Sequence, residues 1–280
     1  MTGKKSLNWI KILLWVLLVL IVAAILLFAV YWMIATSFKP NSEVFKYPPS
    51  LFPLKPTLDA YKTILRDIKF VHYFGNSYFI AGMASLISII IGSLAGYGFS
   101  RFKMIGGNTL LMSVLLLMMF PRVVLIIPYF NIMNSLKLYD TYTALIIINA
   151  SFTLPFSIWM LKGYFDSIPQ DMEEAAMVDG CSRLQAAYMI SFRLAMPGVV
   201  ATAVYAFLEA WNEYLFGLIL TKSYLRSPIT VGIGQFFGQF TMNWNVIMAM
   251  SVMASLPLMI IFIFLQRYLI SGMTAGAIKQ

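Results

Sequence analysis

Long apolar runs separated by short polar punctuation dominate this chain. No Asp, Glu, Lys, Arg or His interrupts residues 12–38, 73–100 or 141–161, and each stretch reaches the ~20 residues that a helix needs to cross a bilayer. Read with the remaining apolar windows, the pattern predicts six spans: Ile12–Ile34, Phe74–Tyr97, Thr109–Phe130, Tyr142–Leu161, Pro197–Leu220 and Ile247–Gln266. Strands of a membrane barrel would alternate apolar and polar residues over ~10 positions, and these runs do not. Backbone groups inside lipid must bond to one another, which leaves helices. The expected fold class is therefore all-α, a polytopic membrane protein. The first run is long for a signal-peptide core and lacks a small-x-small cleavage pattern after it, so it is expected to be retained.

The polar punctuation is unevenly built. After the first run come Pro40, Pro48, Pro49, Pro53 and Pro56, whose fixed φ and missing N–H disfavour regular structure. Thr57 then stands where it can cap a short helix with Leu58, Tyr61, Ile64, Leu65 and Ile68 on one side. That helix suits either a membrane surface or a solvated spacer. Gly82, Gly92, Gly96 and Gly98, with Ala81, Ala84 and Ala95, give the second span a small-residue packing face. Residues 227–266 contain no ionisable group, yet Gly232, Gly234, Gly238, Asn243 and Asn245 argue against a helix in their first half. A partly buried, lid-like loop over 221–245 is expected, with Gly232, Gly234, Gln235 and Phe236 at its centre.

Composition sharpens this picture. Hydrophobic residues make up 60% and charged residues 11%, less than half the ~25% of a soluble domain. The net charge of +9 fits basic flanks meeting anionic headgroups better than it fits nucleic acid. The single cysteine, Cys181, excludes an internal disulfide and a cysteine metal cluster. Lys4, Lys5, Lys11, Arg101 and Lys103 lean toward cytoplasmic termini, although Lys46, Lys55, Lys62, Arg66 and Lys69 lie on the opposite side.

Ionisable residues within the apolar runs are costly and therefore informative. Arg122 follows Pro121 inside the third run, where an isolated charge costs at least about 2.5 kcal/mol. Glu209 and Glu213 lie one turn apart in the fifth. Arg122 is expected either to pair with one of them or to line a wet cavity; an earlier end to the third span would instead let it reach the surface. Around the two acids, Glu209-Ala210-Trp211-Asn212-Glu213-Tyr214 is too polar for a lipid face. Trp211 and Tyr214 can stack on sugar rings or serve as packing.

The most structured polar stretch is Ile168–Arg183. Pro169 marks a helix start, and Asp171, Glu173 and Glu174 fall in the first turns, where carboxylates complement the helix dipole. Ala175 and Ala176 leave a small-residue surface, Gly180 permits the positive φ of a stop, and Ser182 can cap a second helix through Arg183. The acids repel phosphate, so a helix–turn–helix for DNA is a poor reading.

Glu174-Ala175-Ala176, three further residues, Gly180, and then Ile190 resemble the EAA signature of binding-protein-dependent ABC importer permeases. Gly96–Phe102, Lys162-Gly163-Tyr164-Phe165, Ala210–Glu213 and Gln266–Gly276 resemble the carbohydrate-uptake subfamily, in its six-span, maltose-type form. The resemblance implies a type I ABC importer permease fold with a cytoplasmic coupling helix. It divides the chain into 1–72, an N-terminal tail, first span and outer loop, and 73–280, the permease core. Within that core it implies a coupling loop over 162–193 that docks on an ATPase through Asp171, Glu173, Glu174, Ala175, Ala176, Asp179, Gly180 and Arg183. The tail over 267–280 would approach the same subunit through Thr274, Ala275 and Gly276. Implied partners are a second permease subunit, two ATP-binding subunits holding ATP-Mg, an extracytoplasmic solute-binding protein, a sugar and the bilayer. The signature usually closes with Leu-Pro, whereas this chain has Phe192-Arg193 and then Pro197-Gly198, so the entry angle into span five is expected to differ.

Other functions fare less well. Gly3-Lys4-Lys5-Ser6 lacks the first glycine of a phosphate-binding loop, so no ATPase is expected here, and neither a cofactor nor a metal. The sole histidine, His72, reads as interfacial rather than catalytic. A proton-coupled carrier would use Glu209 and Glu213 as relay groups but leaves the acidic loop unexplained. A solute such as a glycerol phosphodiester or polyol stays open alongside an oligosaccharide.

Overall fold

In a computed structural model the described residues are 3–236 and 243–277. They fall into two units, Met1–Asp67 with Phe236–Ser255, and Ile68–Gln235 with Leu256–Gln280. Regular structure among the described residues is helical.

The first unit opens with α1 (Gly3–Ser37), whose apolar side chains stay exposed along most of its length. A helix apolar on all sides belongs in lipid or against a partner. The loop after α1 is ordered by a carboxylate that composition alone does not single out. Glu43, in the short α2 (Asn41–Val44), accepts from the Leu54 amide at 2.9 Å and the Ser50 hydroxyl at 2.7 Å. These bonds, the Leu54 amide foremost, hold the Glu43 carboxyl below its usual pKa. Lys39 caps the arrangement by donating to the Ser50 carbonyl over the Trp32 ring. Helix α3 (Asp59–Arg66) forms as expected and buries Ala60 and Ile64, but its cap position is Leu58 and makes no side-chain bond. Thr57 instead donates its amide to the Phe38 carbonyl.

The second unit is built on α4 (Ile68–Arg101), which runs beyond the predicted span at both ends. Helices α5 (Gly107–Leu116) and α6 (Ile126–Ser135) follow, and α7 (Tyr142–Asp166) packs along α4. The small-residue expectation holds for Gly92 and Gly96. A β-carbon on Gly96 would lie 2.9 Å from the Lys162 amide nitrogen, so only glycine allows the two backbones this close. Gly82 and Gly98 face open space. Ser88 and Thr153 share a hydroxyl contact of 2.6 Å between the same helices. Toward one end, Ile80, Leu145, Ile148, Phe216 and Leu220 form a buried cluster; toward the other, Leu161, Phe165, Ile168 and Ala195 form a second.

Span three is not one straight helix. It breaks at Phe120-Pro121 and bends by 91°, because Pro121 supplies no N–H and Phe120 is forced into extended backbone. The predicted fifth span is also interrupted, its first helix ending at Trp211 and the next starting at Leu215, and its entry is bent by 71° between Arg183–Phe192 and Met196–Trp211. Four helices among the described residues suffice to cross a membrane, and six if each bent pair is one crossing.

After α7 come α8 (Asp171–Val178), α9 (Arg183–Ala186) with a π-helical continuation over Ala187–Phe192, α10 (Met196–Trp211) and α11 (Leu215–Leu220). Two expectations are corrected here. The segment read as a helix-free loop contains α12 (Ile229–Gln235), because Gly232 and Gly234 serve packing rather than interruption: each lies against a tyrosine ring, Tyr73 and Tyr214, where a β-carbon would collide. The last helix, α13 (Trp244–Ala277), runs beyond the predicted sixth span Ile247–Gln266 at both ends and carries Thr274, Ala275 and Gly276 of the expected tail. Residues 237–242 of the expected lid and 278–280 of the expected tail lie outside the described residues.

Candidate functional sites

The polar loop folds as its residues dictate. Asp171, Glu173 and Glu174 occupy the first turn of α8. Gly180 adopts φ +96°, the left-handed value that favours glycine. Its amide donates to the Met177 carbonyl at 3.1 Å, and the Cys181 amide to the Ala176 carbonyl at 3.0 Å, which completes a Schellman stop. Ser182 and Gln185 then exchange side-chain and backbone bonds in a full capping box that starts α9. The helix–turn–helix is thus specified by its own sequence.

Its side chains divide into two faces. Asp171, Glu174, Ala175, Asp179, Gly180 and Arg183 are exposed and Ala176 is half-buried; the Arg183 guanidinium lies over the Phe102 ring at 4.8 Å. Beside them, Val178 and Leu184 are 87% and 83% exposed, with Tyr188 nearby. An apolar tip of this kind marks an interaction surface, and counting the acids alone had hidden it.

Glu173 belongs to the other face. Expected to dock outward, it is 5% exposed and turned into the chain. The Arg101 Nε donates to its Oε1 at 2.6 Å, Tyr97 donates to its Oε2 at 2.8 Å, and Ser191 donates to Oε1. Arg101 also donates to the carbonyls of Phe165 at 3.0 Å and Ile168 at 3.1 Å. Burial pushes the Glu173 carboxyl upward, but the bonds from Ser191, Arg101 and Tyr97 outweigh it and keep its pKa below the ordinary value. The node ties the end of α4, the end of α7, α8 and the π-helical turn to one guanidinium. Arg101 had read only as a loop charge, because its partner lies 72 residues away.

The polar residues of the third and fifth apolar runs also separate. Arg122 Nη2 donates to Glu209 Oε2 at 2.6 Å, one of the outcomes the sequence left open, and its guanidinium lies 5.1 Å from the Phe152 ring. Glu213 does not join them. It is buried and accepts from the amides of Phe216 and Gly217, thereby starting α11 after α10 has ended. Trp211 is 2% exposed among Phe74, Tyr78 and Phe207, which makes it packing rather than a sugar platform. Asn212 is exposed, with its amide on the Leu208 carbonyl, and Tyr214 stays partly exposed against Gly234.

Residues 221–235 are held by α4 and α7 rather than standing free. Asn76 donates to the Ser227 carbonyl at 2.9 Å, Tyr142 to the Leu225 carbonyl at 2.9 Å, and Tyr73 to Gln235 at 2.9 Å. Phe236 is half-buried.

The described residues thus hold apolar helices long enough to cross a membrane, an Arg122–Glu209 ion pair and a self-capped polar loop. Residues 88–275 match the family of binding-protein-dependent transport system inner membrane components, and the chain belongs to that family. It is thus the membrane permease component of an ABC import system, in the inner membrane, with ATP hydrolysis assigned to a separate subunit. An inner membrane ABC transporter permease of Escherichia coli, YcjP, is 38% identical over 255 residues, covering 90% of this chain and 91% of the relative. The trehalose/maltose transport system permease MalG of Thermococcus litoralis is 37% identical over 256 residues, with 90% and 91% covered. A chain in the crystal structure of a bacterial ABC transporter that imports the acidic polysaccharide alginate superposes with a TM-score of 0.81 at 22% identity, covering 96% of this chain and 98% of that one.

Proposed function

We propose that this permease carries a sugar, in the form of an oligosaccharide, and that its polar loop converts ATP-driven motion of a cytoplasmic subunit into alternating access. The reading places both termini in the cytoplasm. It sets the chain in a heterodimer with a second permease, two ATP-binding subunits that hold ATP-Mg, and an extracytoplasmic solute-binding protein. The trehalose/maltose relative supports the sugar class.

The observation that carries the coupling role is the Arg101–Glu173 node. The exposed face of α8 and α9, with Glu174, Ala175, Asp179, Val178 and Leu184 on it, docks in a cleft of the ATP-binding subunit. A push on that face reaches Glu173 without a hinge between. From there it passes through Arg101 to the ends of α4 and α7 and through Ser191 to the bent entry of α10. In the same reading, Thr274, Ala275 and Gly276 meet the ATP-binding subunit, and the segment around Gly232, Gly234, Gln235 and Phe236 faces the solute-binding protein.

Replacement Gly180→Pro tests the coupling. It removes the amide that donates to Met177 and the positive φ, while leaving every apolar run intact. Wild-type membrane levels with lost sugar uptake and lost co-purification of the ATP-binding subunit are expected. Normal uptake by this variant would refute the role.

A further inference from the structure

Where the polar loop joins the spans, a cavity of about 560 Å³ lies between α4 and the π-helical entry of α10, well within the range of sites that take an organic molecule. Most of its wall is apolar: Ile90, Leu94, Met189 and Met196 line it, and all four are exposed. Two polar groups interrupt that wall. Ser93 is 6% exposed, yet its hydroxyl bonds to no described residue, and a buried hydroxyl without a partner is costly. Arg193 is exposed and forms no ion pair among the described residues. It stands where the signature that the loop resembles usually has proline, so docking of α8 and α9 does not call for its charge. Residues 180–208 hold two arginines and no acid, and the carboxylate of Glu173 beyond them is already saturated by Arg101, Tyr97 and Ser191. The patch is therefore left positive.

The lining is also ordered in depth. Helix α4 runs toward the loop and α10 away from it, so Leu94 and Arg193 lie nearest the loop, and Ile89 and Val199 lie deeper along the spans. The rise of α4 from Leu94 back to Ile89 is about 7.5 Å, at ~1.5 Å per residue. Ser93 comes directly below Leu94.

We infer that this cavity is a binding site for an anionic glycerophospholipid. The phosphate is the partner of the Arg193 guanidinium, whose fork matches two of its oxygens. An ester carbonyl just beneath the phosphate accepts from Ser93, and the acyl chain covers the apolar wall toward Ile89 and Val199. Phosphate, ester and chain thus follow the same order as cation, hydroxyl and apolar wall. An apolar helix of another subunit would cover the wall but leave both polar groups without a partner, and a free phosphate would leave the wall bare. In the orientation proposed above the site lies in the cytoplasmic leaflet, where anionic lipids attract basic side chains; that position rests on the orientation, and the site itself does not. When occupied, it clamps against α4 the turn that also carries Ser191 of the Arg101–Glu173 node.

The test uses the transporter, purified with its associated subunits, in detergent micelles, where neither leaflet nor orientation enters. Phosphatidylglycerol and phosphatidylcholine, each with a photoactivatable group on one acyl chain, are crosslinked in separate samples, and the labelled peptides are mapped by mass spectrometry. Phosphatidylglycerol should label the peptides holding residues 89–94 and 188–199 about fivefold more than phosphatidylcholine does, the scale of one basic side chain against an anionic lipid. Arg193→Gln should abolish that preference, and Lys103→Gln, which removes a charge outside this cavity, should keep it. Ser93→Leu covers the case in which Arg193→Gln does not assemble. It leaves the cation in place but fills the wall where the chain would lie, so labelling should fall to the level of peptides outside the cavity. Equal labelling by the two lipids in the wild type, a preference that survives Arg193→Gln, an equal loss in Lys103→Gln, or undiminished labelling in Ser93→Leu overturns the site. So does an absence of labelling because another subunit covers the groove. None of these outcomes bears on sugar import.

Discussion

Two arginine–glutamate pairs in this chain share one contact distance, 2.6 Å, and almost nothing else. Arg101 and Glu173 have side chains 4% and 7% exposed, and both are saturated by further bonds to Tyr97, Ser191 and two backbone carbonyls. Arg122 and Glu209 are 42% and 36% exposed and hold each other across a broken helix. Equal chemistry in unequal surroundings yields different devices. A buried pair is held by what its loss would expose, whereas a half-open pair contributes little to stability and is free to exchange partners. The first fixes how the polar loop joins the spans; the second links the turn just past the break in span three to α10.

The largest effect expected from breaking this contrast is at Glu173. Glu173→Ala strands the buried Arg101 guanidinium, at roughly 3–5 kcal/mol, and should remove the folded complex from membranes, as seen by thermal-aggregation midpoint and uptake. Somewhat smaller is Gly96→Ala, which drives a β-carbon to 2.9 Å from the Lys162 amide. Overpacking of this kind costs about 1–3 kcal/mol, and should lower the midpoint while the loop's own turn survives. Gly180→Val should cost about 1–2 kcal/mol through a β-carbon at φ +96°. Its uptake should fall further than its stability, which a midpoint assay run beside a transport assay will separate.

Acid provides a gentler probe of the same node. The Glu173 pKa is depressed on folding, so its stabilisation is fully present above the unfolded value of about 4.3 and is lost as pH falls through the lower folded value. The wild-type midpoint should therefore not respond to this residue between pH 8 and 6. Glu173's share of the decline below about pH 4 should be missing in Glu173→Gln, while the share of Glu43, whose carboxyl is also depressed, remains. Smallest of all, Glu209→Ala should shift the midpoint by less than about 1 kcal/mol. A loss comparable to that of Glu173→Ala would erase the distinction between the two pairs.

How far the chain could be read in advance follows the same physics. Helical spans, the Gly180 stop and the Ser182 cap were legible because each depends on residues within a few positions. That Arg122 could pair with Glu209 or Glu213 was legible because charges isolated in apolar runs have few partners to choose from, but which acid it takes was not. Glu173 was misplaced since four neighbouring acids look alike in sequence, and only the distant Arg101, Tyr97 and Ser191 distinguish one of them. Gly232 and Gly234 were misread as breakers because nothing local announces the rings of Tyr73 and Tyr214 beside them. Pro121 announced a disturbance in span three, but not that the chain would turn through 91°.

The Gly180–Ser182 corner closes entirely on near neighbours: Met177, Ala176 and Gln185 supply its bonds. Nothing in it borrows from the membrane helices, so their rearrangement leaves its angle unaltered. In the coupling role proposed above it behaves as a pawl rather than a spring, and a stroke delivered to it would arrive undiminished by bending at that point.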